Sequence, residues 1–203
     1  MEQSVNMITL RGELDALPQY SHDNHGKRFF RFFLEVPRLS GAVDTLPVVA
    51  DYRTLCRMDL SGGQMLTVSG QIRSHNIREN GVRRLMIFVY AMDICAEDGE
   101  PVNDCVIEGP LCREPTYRRT PLGREICDVM LAVPRAFQRA DYLPCILWGR
   151  TAQEIAACHT SERIRIRGRL QSREYTKLID GGSENRIAYE ISALTADILE
   201  DIL

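Results

Sequence analysis

A register that repeats without a gap constrains this chain more than its composition does. Gly12, Leu14, Pro18, Tyr20 and Gly26 return 97 residues later as Gly109, Leu111, Pro115, Tyr117 and Gly123. Val36-Pro37-Arg38 returns as Val133-Pro134-Arg135. Asp44, Leu46, Pro47, Arg53 and Thr54 return as Asp141, Leu143, Pro144, Arg150 and Thr151. After one inserted residue, Gly70 and Ser74 match Gly168 and Ser172. The period is longer than the roughly 20–50 residues of solenoid repeats, so it marks a duplicated domain. The acidic Gly/Pro connector Ala96–Pro101 separates the copies and predicts domains at 1–98 and 103–203.

Each copy reads as strands with one short helix. In the first, strands are predicted at Ile8–Leu14, Arg28–Val36, Leu46–Ala50, Met65–Ile77 and Arg84–Ile94, with a weak helix near Thr54–Leu60. In the second they fall at Cys105–Leu111, Arg124–Val133, Leu143–Trp148, Arg163–Lys177 and Arg186–Leu194. Tyr117–Gly123 reads as a turn-rich loop and Asp180–Ser183 as a hairpin tip. A helix is expected at Thr151–His159, with Thr151 as N-cap and Glu154 at the capping-box position. Three strands, a helix and a long hairpin form the order of a five-stranded Greek-key OB barrel. The prediction is an all-β chain of two tandem barrels, each with one short helix. Gly70 and Gly168, inside the long strands, fit a sharp barrel bend that leaves no room for a side chain.

Composition enters by exclusion. No apolar run approaches the roughly 18 residues of a membrane span, and Met1–Asn6 has neither the basic nor the apolar region of a signal peptide, so the cytoplasm is expected. The seven cysteines form no Cys-x-x-Cys pair and most lie in apolar runs, which predicts reduced, buried thiols rather than a metal or disulfide framework. There is no phosphate loop, no Gly-x-Ser-x-Gly and no His-Glu-x-x-His, so neither catalysis nor a cofactor is expected. His22 and His25 offer too few ligands for a designed metal site.

Net charge is only −3, yet of 25 basic residues only Lys27 and Lys177 are lysine. Arginine's planar fork suits phosphates and stacks on bases, although a coding bias toward arginine explains the excess equally well. Arg163, Arg165, Arg167 and Arg169 alternate with apolar residues on one strand. Such a row can neutralise phosphates, or it can be a solvated face, or pair with carboxylates in subunit packing. Its first-copy counterparts are Met65, Thr67, Ser69 and Gln71, which carry no charge. Phe29, Phe30, Phe32 and Phe33 lie on one strand and alternate between its faces, which calls for a second apolar surface against the other half or another subunit.

Asn103, Val106–Leu111 (with Gly109 and Leu111), Pro115-Thr116-Tyr117, Gly123, Tyr142, Leu147-Trp148-Gly149-Arg150 and Gly168-Arg169-Leu170 fall in a recognisable order. The first copy keeps Asn6, Leu10–Leu14, Pro18-Gln19-Tyr20, Gly26 and Gly70-Gln71-Ile72. This pattern resembles the bacterial single-stranded-DNA-binding protein family, in a duplicated version that covers nearly the whole chain. The resemblance implies sequence-nonspecific binding of single-stranded DNA in replication, recombination or repair. It implies stacking of bases on Phe137, Tyr142, Trp148 and Tyr175. Arg135, Arg150, Arg165, Arg167, Arg173 and Lys177 are the expected phosphate contacts, with Tyr117-Arg118-Arg119 as a further basic loop. Ser40, Thr45 and Asp51 stand opposite Phe137, Tyr142 and Trp148, so the first copy is expected to be structural and to serve dimerisation. The resemblance further implies a homodimer presenting four barrels, and replication or repair proteins as partners. The Ala196–Leu203 end resembles the family's acidic, apolar tip but lacks its long tether. A protein-interaction scaffold with little DNA affinity is the competing reading.

Overall fold

The computed structural model describes residues 5–79, 82–179 and 182–200. The strands are β1 (Asn6–Leu14), β2 (Gln19–Asn24), β3 (Lys27–Pro37), β4 (Val43–Asp51), β5 (Met65–Glu79) and β6 (Val82–Ala96), with helix α1 (Tyr52–Leu55). The second half repeats this as β7 (Val102–Pro110), β8 (Thr116–Arg119), β9 (Glu125–Arg135), β10 (Arg139–Trp148), β11 (Arg163–Ile179) and β12 (Gly182–Leu199), with helix α2 (Gly149–Ile155). In the first half β3, β4, β6, β5 and β1 follow one another and β1 returns to pair with β3 through Leu14 and Leu34. β4 and β6 run parallel and the other pairs antiparallel, which is the closed five-stranded Greek key of an OB barrel. The second half has the same order, with β10 parallel to β12 and a Leu111–Leu131 bridge at the closure.

The two barrels share one sheet. β1 pairs antiparallel with β7 from Asn6–Ile107 to Arg11–Val102, so the strand order is palindromic about the β1–β7 seam. The inward residues of the five barrel strands of each half, among them Ile8, Leu10, Leu34, Leu46 and Val68, and Ile107, Leu131, Leu143, Ile164 and Ile166, fill the barrel interiors. The period-2 pattern in the sequence produces this core directly.

The long strands bend where the repeat places glycine. The β5–β6 and β11–β12 registers slip at Ser69/Gly70 and Arg167/Gly168. A Cβ on Gly168 would lie 2.3 Å from the Ser192 carbonyl oxygen, and one on Gly70 would lie 2.2 Å from that of Tyr90. Beyond the bend, Ile72 and Leu170 have left the backbone ladder of the neighbouring strand. Asn6 completes the ladder, donating to the Ile72 carbonyl at 2.8 Å and accepting its N–H at 2.9 Å. Asn103 does the same for Leu170, at 2.6 and 2.9 Å.

A second reciprocal contact joins the barrels. Asp44 is buried and accepts from Arg38 at 2.7 Å, from the Ser172 N–H at 2.6 Å and from the Ser172 hydroxyl at 3.1 Å; Arg38 also donates to the Ser172 carbonyl at 2.8 Å. Its repeat mate Asp141 is fully buried and accepts from Arg73 at 2.9 Å, from the Ser74 N–H at 2.8 Å and from Arg135 at 3.3 Å. The Ser74 hydroxyl accepts the Tyr142 N–H at 2.7 Å. Each barrel therefore grips the other's long hairpin through Asp, Arg and Ser residues that recur in both copies.

Three local expectations change. Gln19–Asn24 and Thr116–Arg119 are short strands hairpinned onto β3 and β9, although the second was expected as loop. Every residue in both is exposed, so no burial alternation marks them. α2 begins straight off β10 at Gly149, with Trp148 rather than Thr151 at the cap, and ends at Ile155; Arg150 and Glu154 pair at 2.8 Å across its one exposed turn. α1 is a single turn capped by Asp51, shorter than and preceding most of the expected Thr54–Leu60 segment. Among the described residues all seven cysteines are free; burial pushes the Cys105 thiol up to about 12 and those of Cys127 and Cys158 to about 11.

The reciprocal contact yields a stability prediction. Asp141→Ala removes the acceptor for two half-buried guanidinium groups and one main-chain N–H. Urea unfolding of the full chain is expected to show a loss of about 3–5 kcal/mol, with Asp44→Ala of similar size. A loss below about 1 kcal/mol for both would mean the barrels are held by the β1–β7 seam alone.

Candidate nucleic-acid interface

Trp148 closes β10, on the outer face it shares with Tyr142, Pro144 and Ile146. Its indole N–H donates to the Ser192 hydroxyl of β12 at 3.1 Å, which fixes the ring against the barrel wall while leaving it partly exposed. Below it opens a groove of about 810 Å³ between the β8–β9 hairpin, the end of β10 and the outer faces of β11 and β12. Arg118, Arg124, Arg169 and Arg173 line this groove, as does Arg38 from the first barrel.

The cations of the groove differ in how they are held. Arg118 pairs with Asp128 at 2.7 Å, and Arg173 approaches Glu190 at 3.5 Å. Glu190 also accepts from Gln171 at 3.0 Å. Arg38 is committed to Asp44, a hydrogen bond that holds its guanidinium further into the charged range despite partial burial. Arg169 is different: its Nε is buried and without a hydrogen-bond partner. An unpaired buried N–H costs about 1–3 kcal/mol, which an incoming oxygen acceptor relieves.

The expected site residues separate into groups. Trp148 and Arg173 line the groove. Tyr175 lies two residues further along β11, with the Arg173 guanidinium 5.8 Å from its ring centroid, and so extends the same face. Tyr142 lies six residues before Trp148 on the outer face of β10, roughly 20 Å away at the rise of a strand. Phe137 sits at the tip of the β9–β10 turn, 93% exposed and at φ 61°, in the left-handed region that non-glycine residues rarely adopt. Lys177 follows on β11, but its side chain lies outside the described residues.

Arg135, Arg150, Arg165 and Arg167 do not line the groove. Arg135 is half-buried and holds Asp141 in the inter-barrel contact. Arg150 is exposed and paired along α2. Arg165 pairs with Glu108, and Arg167 with Asp104 at 3.0 Å, both across the neighbouring strand β7. The row of arginines is thus one face in sequence and two places in space. The coiling of β11 at Gly168 lays Arg165 and Arg167 over β7 and turns Arg169 and Arg173 toward Trp148. The strand alternation gave no sign of this division, nor of Arg38, whose role is visible only once Asp44 and Ser172 are brought together. Among the described residues no three His, Cys, Asp or Glu side chains gather in a way that would hold a metal ion.

The fold and this groove define a tandem OB protein with an aromatic, arginine-lined face. The model of the single-strand binding protein family matches residues 102–199. The chain is 35% identical over 80 residues to single-stranded DNA-binding protein B of Bacillus subtilis strain 168, which spans 36% of this chain and 71% of that protein. It is 31% identical over 108 residues to single-stranded DNA-binding protein 3 of Listeria innocua, 49% of this chain and 64% of that one. The crystal structure of the wild-type single-stranded DNA binding protein of Thermus aquaticus superposes with a TM-score of 0.80 at 21% identity, over 97% of this chain and 94% of that one, and so shares the fold of both barrels. The chain belongs to the single-strand binding protein family.

Arg169 and Arg167 provide a paired test within one strand. Arg169→Gln is expected to weaken oligo-dT binding by about 5- to 20-fold and to flatten the salt dependence by roughly 0.7 in log–log slope. Arg167→Gln should stay within about twofold. Fluorescence anisotropy at several salt concentrations reads both, and equal losses would remove the distinction between the two ends of the row.

Proposed function

We propose that this chain binds single-stranded DNA without sequence preference, in replication, recombination or repair, and that the second barrel presents the principal stacking and phosphate contacts. The observation that carries this reading is the groove that Trp148 lines together with Arg169 and Arg173. A ring offers a π-face to any base, and each stacked base contributes about 1–3 kcal/mol without sequence preference. The arginines neutralise the phosphates that pass between the rings. Tyr142 on β10 and Tyr175 on β11 extend the path in the same direction from Trp148, and Phe137 is its outlying ring. Arg150 and the Arg118–Arg119 hairpin stand at its margins. Arg135, Arg165 and Arg167 belong to the architecture of the sheet.

The chain performs no catalysis in this reading; it acts by holding and protecting the strand. Seven free thiols, four of them buried and Cys56 and Cys95 exposed, suit the reducing cytoplasm, where we place it. We assign it a homodimer that presents four barrels, and replication or repair proteins as its partners.

Trp148 is the sole tryptophan, so its emission reports one position in the groove. Titration with oligo-dT is expected to quench it, with binding weaker at high salt. Trp148→Ala should lower affinity by about 5- to 100-fold, the equivalent of one lost stack, while its far-UV circular dichroism stays unchanged. No oligo-dT binding at low salt, by fluorescence and by gel shift, would leave a protein-interaction scaffold instead. Sedimentation equilibrium tests the assembly: a mass twice that of the 23.1 kDa chain is expected, and a monomer at tens of micromolar would exclude the four-barrel arrangement.

A further inference from the structure

The groove beside Trp148 holds two carboxylates, Asp128 and Glu190, and they are bound differently. Both oxygens of Asp128 face Arg118, Oδ2 at 2.7 Å and Oδ1 at 3.4 Å. Glu190 is held at one oxygen only. Its Oε1 accepts from the buried Gln171 amide at 3.0 Å and lies 3.5 Å from the Arg173 Nε, longer than a charge-assisted hydrogen bond. Among the described residues no donor reaches Glu190 Oε2, and that oxygen is not sealed away from the groove.

A carboxylate in a groove that receives a polyanion opposes the strand it faces, and the fold does not call for one there. The repeat places Arg31 where the second barrel has Asp128. Strand pairing places Phe88, opposite Arg73, where the second barrel has Glu190, opposite Gln171. Arg73 turns instead to Asp141 in the inter-barrel contact. The Gln171–Glu190 pair therefore belongs to the second barrel alone, and the first barrel closes without it.

Glu190 also stands close to the ring. Ser192, which accepts the Trp148 indole N–H, lies two residues further along the same face of β12, roughly 7 Å away at the rise of a strand. Bases differ in what their edges offer an oxygen at that place. Thymine and uracil set a carbonyl oxygen on either side of one imide N–H, so a carboxylate meets partial charge of its own sign. Cytosine, adenine and guanine carry an exocyclic amine, and acidic side chains accept from the cytosine N4 amine in this way.

We propose that Glu190 is a specificity-determining residue of the Trp148 subsite, its Oε2 accepting an exocyclic amine and so favouring cytosine, adenine and guanine over thymine. This selection rests on the strand-binding reading above and refines it: the indole stacks on any base, and the carboxylate beside it ranks them. It concerns one subsite, so it imposes no sequence. A phosphate that engages Arg173 loosens the contact at Oε1 and strengthens the demand of Glu190 for a new donor.

The test uses the full chain with oligo-dC and oligo-dU of about 10 nucleotides, within the span of one OB barrel. In mildly alkaline buffer cytosine is neutral, and the two bases differ only along the amine-bearing edge. Fluorescence anisotropy and Trp148 quenching are expected to show oligo-dC bound about tenfold more tightly than oligo-dU. Glu190→Gln, which keeps the shape and removes the charge, should bring the two within about twofold of each other. Asp128→Asn is the control for charge alone, since both Asp128 oxygens are taken by Arg118; it should shift both oligonucleotides by the same factor and preserve the ratio. Equal binding of oligo-dC and oligo-dU by the unaltered chain would overturn the selection while strand binding stands, and that comparison needs no variant. A Glu190→Gln chain that retains the full preference would overturn it as well, by making the carboxylate a counterion of Arg173. Binding of neither oligonucleotide at low salt, by fluorescence and by gel shift, would remove the strand-binding reading and the selection together.

Discussion

Two buried carboxylates, Asp44 and Asp141, hold this molecule in the only arrangement in which its surfaces make sense. Each lies in one barrel and accepts part of its hydrogen bonds from the other. Asp44 binds the main chain and hydroxyl of Ser172, and Asp141 binds the N–H of Ser74 and the guanidinium of Arg73. A buried carboxylate that loses such partners is costly, so the barrels cannot rotate about the β1–β7 seam without exposing or orphaning both. The seam alone would not have this effect, because a sheet twists readily. The reciprocal contact fixes the relative angle, and with it where each long hairpin points.

That constraint reaches the Trp148 face of the second barrel. Ser172 stands one residue before Arg173 and three before Tyr175, so the first barrel's Asp44 sets the base of the hairpin that carries them. Tyr142 is held from the other side, its N–H bonded to Ser74 of the first barrel. The second barrel's face is therefore assembled by both copies, and Arg38 enters its groove directly. Duplication within one chain makes these contacts intramolecular. They form at fixed stoichiometry without the translational and rotational entropy cost of bringing two chains together.

Much of this was legible in the repeat. Asp44/Asp141, Arg38/Arg135 and Ser74/Ser172 were visible as matched pairs before their contact was known, because structural residues must recur in both copies. Gly70 and Gly168 were legible for the same reason. What the repeat concealed was of two kinds. Arg135 matches Arg38 and was expected on nucleic acid, yet its carboxylate partner is buried behind it. Arg165 and Arg169 share a strand face, but a bend between them sends the two ends to different neighbours, and period-2 alternation carries no information about coiling. β2 and β8 were hidden because exposure on both faces leaves no hydrophobic signature.

The difference between the two outer faces was hidden for a further reason. Comparing the copies at equal positions asks whether a residue is retained, not whether its chemistry has moved. Asp51 opposite Trp148 suggests loss, yet Phe29 pairs across the strand with Asp51, and Tyr90 lies on the next strand. An outer barrel face is a two-dimensional patch: Phe29 of β3 stands beside Asp51 as Ile126 of β9 stands beside Trp148 in the other copy. Replacing Asp128 by Arg31 and Glu190 by Phe88 changes the sign and polarity of that patch while the barrel interior is untouched. In a duplicated barrel the core residues are bound to their register, whereas the residues of the face are free to migrate across it. Functional divergence between copies is therefore better judged on the assembled face than along the aligned chain.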